Sequence, residues 1–283
     1  MNEKTPAGAG TASFGLIVEY DGTDFHGSQL QANVRTVQGE LESALAAIMG
    51  CRTRVRLASR TDAGVHATAQ VAAFEAQTRL NTASLRRALN DHLPEDVRVH
   101  CAQAAPSRFD PRRRACSREY VYTMNDANTA PAVFRRTESH VRQRLDEQAM
   151  QDAAREFIGV HDFAAFAGPG AAEGASTVRR IDAAAVCREG DRVLFTVRGN
   201  AFLHQQVRRM TSALVEAGSG KTGPGAVSAL LAGGKRRNAG RIVAPHGLCL
   251  TRIEYEGAGP CGLPAADTPS PSGRRVPATG GRG

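Results

Sequence analysis

Short strand-like runs and helical segments alternate along this chain of 283 residues, twice and in a similar order, and that pattern limits the fold more than any other feature. In the first half, Phe14–Tyr20 (FGLIVEY) reads as a strand stopped by the turn residues Asp21 and Gly22. Thr36 is placed to cap a helix with Val37, Leu41, Ala44, Leu45 and Ile48 on one face, and Gly50 closes it. Strands are expected at Arg52–Leu57 and Thr68–Phe74, then a short helix over Ser84–Asn90. In the second half, Glu119–Met124 reads as a strand and Asp146–Ile158 as a helix, with Leu145, Ala149, Ala153 and Phe157 at helical spacing. A hairpin turning at Glu189-Gly190-Asp191, a helix over Gln205–Ala217 stopped by Gly218, and a strand over Leu248–Tyr255 complete the order. The pattern predicts two α+β units, not a Rossmann fold, since no GxGxxG opens a helix after a strand. The expected boundaries are a flexible N-terminus (1–13), an N-terminal unit (14–105), a C-terminal unit (106–257) and a disordered tail (258–283) with five prolines and scarcely an apolar side chain.

Composition narrows the function classes. A hydrophobic share of 41% is that of a globular protein. No apolar run reaches membrane-spanning length and the first thirteen residues lack a signal-peptide core, so a cytoplasmic protein without membrane contact is expected. Six cysteines without a CxxC pair and eight histidines without HxxxH spacing argue against a metal site or a disulfide framework, and the cysteines read as reduced. The net charge is +8, and only three of the 36 basic residues are lysine. Arginine pairs bidentately with phosphate and stacks on bases, so the excess suits RNA. A GC-rich genome would also enrich arginine, but it does not explain RFDPRRRACSR, which gathers Arg108, Arg112, Arg113, Arg114 and Arg118.

One stretch imitates a phosphate-binding P-loop. In EAGSGKTGPG the first glycine of the pattern is replaced by Val215, a helix precedes it and Pro224 follows, so no nucleotide cofactor is expected.

The loop SRTDAGVHATAQ (59–70) sits between two alternating runs and carries Arg60, Asp62 and His66. An aspartate beside an arginine in a turn is, taken alone, a cap or an ion pair. The whole string RTDAGVH, however, resembles the catalytic loop of the tRNA pseudouridine synthase A family at seven consecutive positions. YDGTDFHGSQLQ (20–31) with TVQGELESAL (36–45), SRFDPRRRACSREYVY (107–122), GNAFLHQQVRR (199–209) and APHGLCL (244–250) are similar to further signatures of that family, in its order. Departures are Ser28 for a usual tryptophan, Leu30 for a basic residue, Ser59 for glycine and Cys249 for tyrosine. The first two bear on RNA docking, where a stacking surface and a phosphate contact are expected.

The resemblance implies two ferredoxin-like α/β units whose antiparallel sheets join around a central cleft. It also implies a homodimer that acts on uridines 38 to 40 in the anticodon stem-loop of tRNA. Pseudouridine formation breaks N1–C1′ and joins C5 to C1′ with no net change in composition, so no cofactor is required. An ionised carboxylate is required, and the resemblance assigns Asp62, with Arg208 as the compensating cation. Tyr120 would stack on the extruded uracil with its hydroxyl near C5, and Arg60 would contact the displaced strand or fill the space left by the flipped base. Arg112 and Arg114 would bind phosphates, and His66 would brace the loop or touch RNA. Two rivals remain at this stage: a non-catalytic tRNA-binding relative, and a synthase acting on another RNA.

Overall fold

Alternation in FGLIVEY puts Phe14, Leu16, Val18 and Tyr20 on one side of strand β1 (Ala12–Tyr20), and all four are buried. The structure, a computed structural model, describes residues 11–169, 176–233, 242–259 and 261–266. Helix α1 (Val37–Met49) is capped as its sequence predicts: the Thr36 hydroxyl accepts the Gly39 N–H, and Gly50 in the left-handed region donates to Ala46 O. Strands β2 (Arg56–Leu57) and β3 (His66–Ala76), helix α2 (Thr82–His92) and strand β4 (Val97–Ala104) complete the first half. The second half holds β5 (Ala115–Asn125), β6 (Ser139–His140), α3 (Glu147–Arg155), β7 (Gly159–Asp162), β8 (Val178–Glu189) and β9 (Arg192–Gly199), then α4 (Gln206–Gly218), α5 (Ala226–Leu231) and β10 (Leu248–Tyr255). The fold is α+β around one large sheet in the order β4-β1-β3-β10-β5-β9-β8-β7, with β2 on β3 and β6 on β5.

The join between the halves is β10. It pairs antiparallel with β5 over most of its length, but its contact with β3 is parallel, through Cys249 opposite His66 and Leu250 opposite Ala67. The joined sheet is mostly antiparallel, as the resemblance implies, with a parallel contact at this edge. A strand arriving from the far end of the chain needs no hairpin and can pair in either sense. The two parallel pairs start at the last residue of the RTDAGVH loop, so the join and the loop are one piece of backbone.

Two expectations change. The strand at Arg52–Leu57 shrinks to its last two residues, because side chains of α1 occupy the main-chain groups that a neighbouring strand would take. The Glu42 carboxylate accepts the Val55 N–H (3.0 Å), and Gln38 Nε2 donates to Val55 O (3.1 Å). The tail is also shorter than its composition suggests. Leu263 is fully buried, Gln103 Nε2 donates to the carbonyls of Leu263 (3.3 Å) and Pro264 (3.1 Å), and Cys261 is disulfide-bonded to Cys101 on β4. The disordered reading therefore fails for 258, 259 and 261–266, and the reduced reading fails for these two cysteines. A single leucine and a single cysteine are enough to dock a segment whose average composition is polar. Residues 267–283, and most of the expected N-terminal segment, lie outside the described residues.

Candidate active site

The RTDAGVH loop is shaped by buried polar groups on its neighbours. Thr61 is held three ways: its N–H donates to Ser28 Oγ (2.9 Å), its carbonyl accepts the Ser28 N–H (3.1 Å), and its hydroxyl bonds the Tyr20 hydroxyl (2.8 Å). Gln70 clamps Ser59, accepting its N–H (3.1 Å) and donating to its carbonyl (2.8 Å). Ser28 and Gln70 are both fully buried, so each lost partner would leave an unpaired group in the core. Where the loop turns, Gly64 takes φ +76°, and a Cβ there would lie 2.9 Å from Pro245. Gly22 passes so close that a Cβ would lie 2.0 Å from Val65 O. These contacts fix the direction in which Asp62 leaves the backbone.

Asp62 faces an arginine and a histidine from the other half of the molecule. Arg208 Nη1 donates to Oδ2 (3.0 Å), while its Nε and Nη2 donate to Val243 O (3.0 and 2.9 Å), and both partners are largely buried. His204 Nε2 lies 3.4 Å from Oδ1. Its Nδ1 donates to Pro169 O (2.8 Å), so Nε2 attracts the carboxylate when the ring carries both protons. Between these residues Gln205 stands at φ +61°, a left-handed conformation costly for a side chain with a Cβ and typical of functional sites. It turns the chain so that His204 faces the cleft just before α4 begins.

The cleft has a volume of about 810 Å³, and its lining includes Arg60, Asp62, Arg112, Arg118, Tyr120, Arg179, Phe202, His204 and Arg208. Tyr120 sits edge-to-face on Phe202 with centroids 5.3 Å apart. Burial pushes its phenol up from the ordinary tyrosine range, against a hydrogen bond with Ser59, so it meets a ligand as a neutral hydroxyl. Arg118, two residues before it on the same face of β5, is buried and donates to three carbonyls: Ala115 (3.0 Å), Asn200 (2.7 Å) and Arg112 (2.6 Å). Burial pushes both Arg118 and Arg179 down from the usual arginine value. Cations, one carboxylate, an aromatic ring and a neutral phenol thus share one opening wide enough for a nucleotide. No group of three or more potential metal ligands occurs among the described residues.

Five of the seven residues singled out from the sequence line this cleft or reach its rim: Asp62, Tyr120, Arg208, Arg60 and Arg112. Arg114 is exposed on the β5 approach and does not line it. His66 is a brace. It is buried, its Nδ1 accepts the Gly22 N–H (3.0 Å), and its Nε2 bonds the carbonyls of Arg136 (2.7 Å) and His246 (3.1 Å). Nδ1 also lies 3.1 Å from Asp21 Oδ1, an ion pair only if a second proton displaces the Gly22 bond. The RNA-contact alternative for His66 is corrected accordingly, since every polar atom of the ring faces protein. Ser28, expected at an RNA-docking surface, is instead buried beneath the loop. Sequence reasoning missed His204 and Arg179. The first lies inside GNAFLHQQVRR, the same motif that carries Arg208, and that is the signal that could have found it. The second had no local signal.

A family model described as tRNA pseudouridine synthase matches residues 16–112 and 153–256. Curated relatives named tRNA pseudouridine synthase A are similar over most of the chain. One from Roseiflexus castenholzii is 42% identical over 257 residues, covering 89% of this chain and 93% of its own. One from Geotalea uraniireducens is 40% identical over 240 residues, covering 85% and 98%. One from Halalkalibacterium halodurans is 43% identical over 235 residues, covering 83% and 89%.

Proposed function

The chain belongs to the tRNA pseudouridine synthase family, and from that premise we propose that it isomerises uridines 38 to 40 in the anticodon arm of tRNA, with Asp62 as the reacting carboxylate. The observation that carries the residue assignment is the pairing of Asp62 Oδ2 with Arg208 at 3.0 Å in a cleft whose lining holds five arginines and no other carboxylate among the described residues. Taking a carboxylate out of water is costly unless a cation accompanies it, and Arg208 is itself held in place by Val243 O. The arrangement keeps a negative charge ready beside a ribose without a cofactor. Asp62 attacks the nucleoside or withdraws a proton from it as N1–C1′ breaks, the freed uracil turns against Tyr120, and C5 joins C1′. The hydrogen on C5 leaves to solvent as a proton and N1, freed from C1′, takes one up, so composition is unchanged. Arg60, exposed at the rim, contacts the strand from which the base is extruded.

This reading places the enzyme in the cytoplasm as a homodimer, and light scattering should give twice the 30.0 kDa chain mass. No helix among the described residues is long and apolar enough to cross a membrane. The assignment is tested with tRNA tritiated at uracil C5. Wild-type protein should release tritium, whereas Asp62→Asn, nearly isosteric but uncharged, should bind the tRNA and release none. Wild-type protein that releases no tritium from any tRNA at low salt would show a binder, not an enzyme.

A further inference from the structure

Besides Arg60 at the rim, three arginines that line the cleft with Tyr120 have no carboxylate partner among the described residues. Arg112, Arg118 and Arg179 line the cleft, yet none makes an ion pair among the described residues. Other arginines of this chain do: Arg35 is bonded to Asp96 and Glu40, Arg188 to Asp126, and Arg208 to Asp62. Arg118 is the most constrained of the three. Its donors are fixed on the carbonyls of Ala115, Asn200 and Arg112, which hold the group still and supply no net negative charge. Arg179 is anchored by Nη1 on the carbonyls of Ser176 (2.8 Å) and Val178 (2.7 Å), while its buried Nε has no hydrogen-bond partner among the described residues. Like charges held together in a concave, partly dry wall raise the local potential and cost stability unless an anion enters.

The position of the wall selects the anion. Arg118 and Tyr120 are two residues apart on one face of β5, roughly 7 Å along the strand. A base seated against Tyr120 therefore has its own backbone within reach of Arg118, while Arg112, whose carbonyl Arg118 holds, and Arg179 line the same cleft. We infer that Arg112, Arg118 and Arg179 form a pocket for the phosphodiester adjoining the target uridine, which grips the extruded nucleotide by its backbone while Asp62 acts on its sugar. This inference rests on the reading of the cleft as a uridine-isomerising site. Arginine forks suit a phosphodiester, and a rigid guanidinium loses little freedom on binding.

The test replaces single phosphodiesters around one of uridines 38 to 40 by uncharged methylphosphonates in an otherwise native tRNA. Binding is measured at fixed low salt, and pseudouridine in the unmodified tRNA is measured in parallel. Wild-type protein should lose roughly ten- to a hundredfold in affinity at one linkage adjoining the target uridine, the worth of a charge-assisted hydrogen bond or two. Arg179→Gln should bind native tRNA more weakly and respond little to that linkage. The RNA substitution leaves the protein intact, so the result does not depend on whether Arg118 variants fold. Small, equal losses at every linkage, or full linkage sensitivity in Arg179→Gln, would overturn the pocket. A wild type with the linkage effect but no pseudouridine would support the pocket and overturn the proposed reaction, while pseudouridine without a linkage effect would overturn the pocket alone.

Discussion

The two halves of the sheet meet at one cleft but build their sides of it from different interactions. On the N-terminal side, the loop carrying Asp62 is shaped by neutral, buried partners: Tyr20, Ser28 and Gln70 hold Thr61 and Ser59, and His66 holds Gly22. On the C-terminal side, Arg118, Arg179 and Arg208 are anchored to main-chain carbonyls, and among the described residues only Arg208 of these three has a carboxylate to face. Neutral hydrogen bonds are directional and indifferent to salt, so they suit a reacting group whose direction must not vary. Guanidiniums tied to carbonyls keep their charge outward, which suits a surface that must wait for a polyanion. One half sets geometry and the other supplies potential.

Removing the charge link between the halves at the cleft should have the largest effect. Arg208→Ala strands a largely buried carboxylate, a loss of roughly 3–5 kcal/mol in comparable pairs, so single-turnover tritium release should fall about 10²- to 10³-fold. A drop in melting temperature with an unchanged rate would instead make the pair structural.

The N-terminal half also depends on the segment after Gly257. Ending the chain there removes the buried Leu263 and the Cys101–Cys261 bridge, together about 4 kcal/mol, so the melting temperature should fall by roughly 10 °C. Leu263→Ala separates the two contributions, since it keeps the bridge and should lower stability by about 2–4 kcal/mol.

Tyr120→Phe sharpens the division of labour, because the ring stays on Phe202 while the hydroxyl is lost. Turnover should fall roughly ten- to a hundredfold at unchanged tRNA affinity. Equal losses of rate and affinity would place Tyr120 with the packing residues.

Ser28→Ala attacks the neutral side alone. It leaves the Thr61 N–H unpaired in a buried site, so denaturant unfolding should report a loss of about 1–3 kcal/mol, with tRNA affinity unchanged. Reduced affinity would revive a docking role for this position. The smallest change is expected from Arg112→Gln, which should flatten the dependence of log affinity on log salt by about one unit. Arg114→Gln, outside the cleft, should flatten it less.

Much of this molecule is legible in its sequence because the determinants are local. The Thr36 and Gly50 caps, the alternation in β1 and the periodicity of α4 are set within a few residues, where backbone geometry and side-chain spacing decide the outcome. The RTDAGVH string likewise announces Asp62, since the residues that make the turn are contiguous. What only the tertiary structure decided depends on partners far apart in the chain. Asp62 meets His204 and Arg208 from another half of the sheet, and β10 joins β3 in parallel at His66. Cys261 finds Cys101, and Arg179 reaches the wall beside Tyr120. Sequence periodicity carries information over a turn or a strand, whereas a charge or a thiol acts on whatever the fold brings within a few ångströms. The sequence therefore determined the elements and the loop that carries Asp62, and the packing of β10 between β3 and β5 decided which arginine and histidine face it.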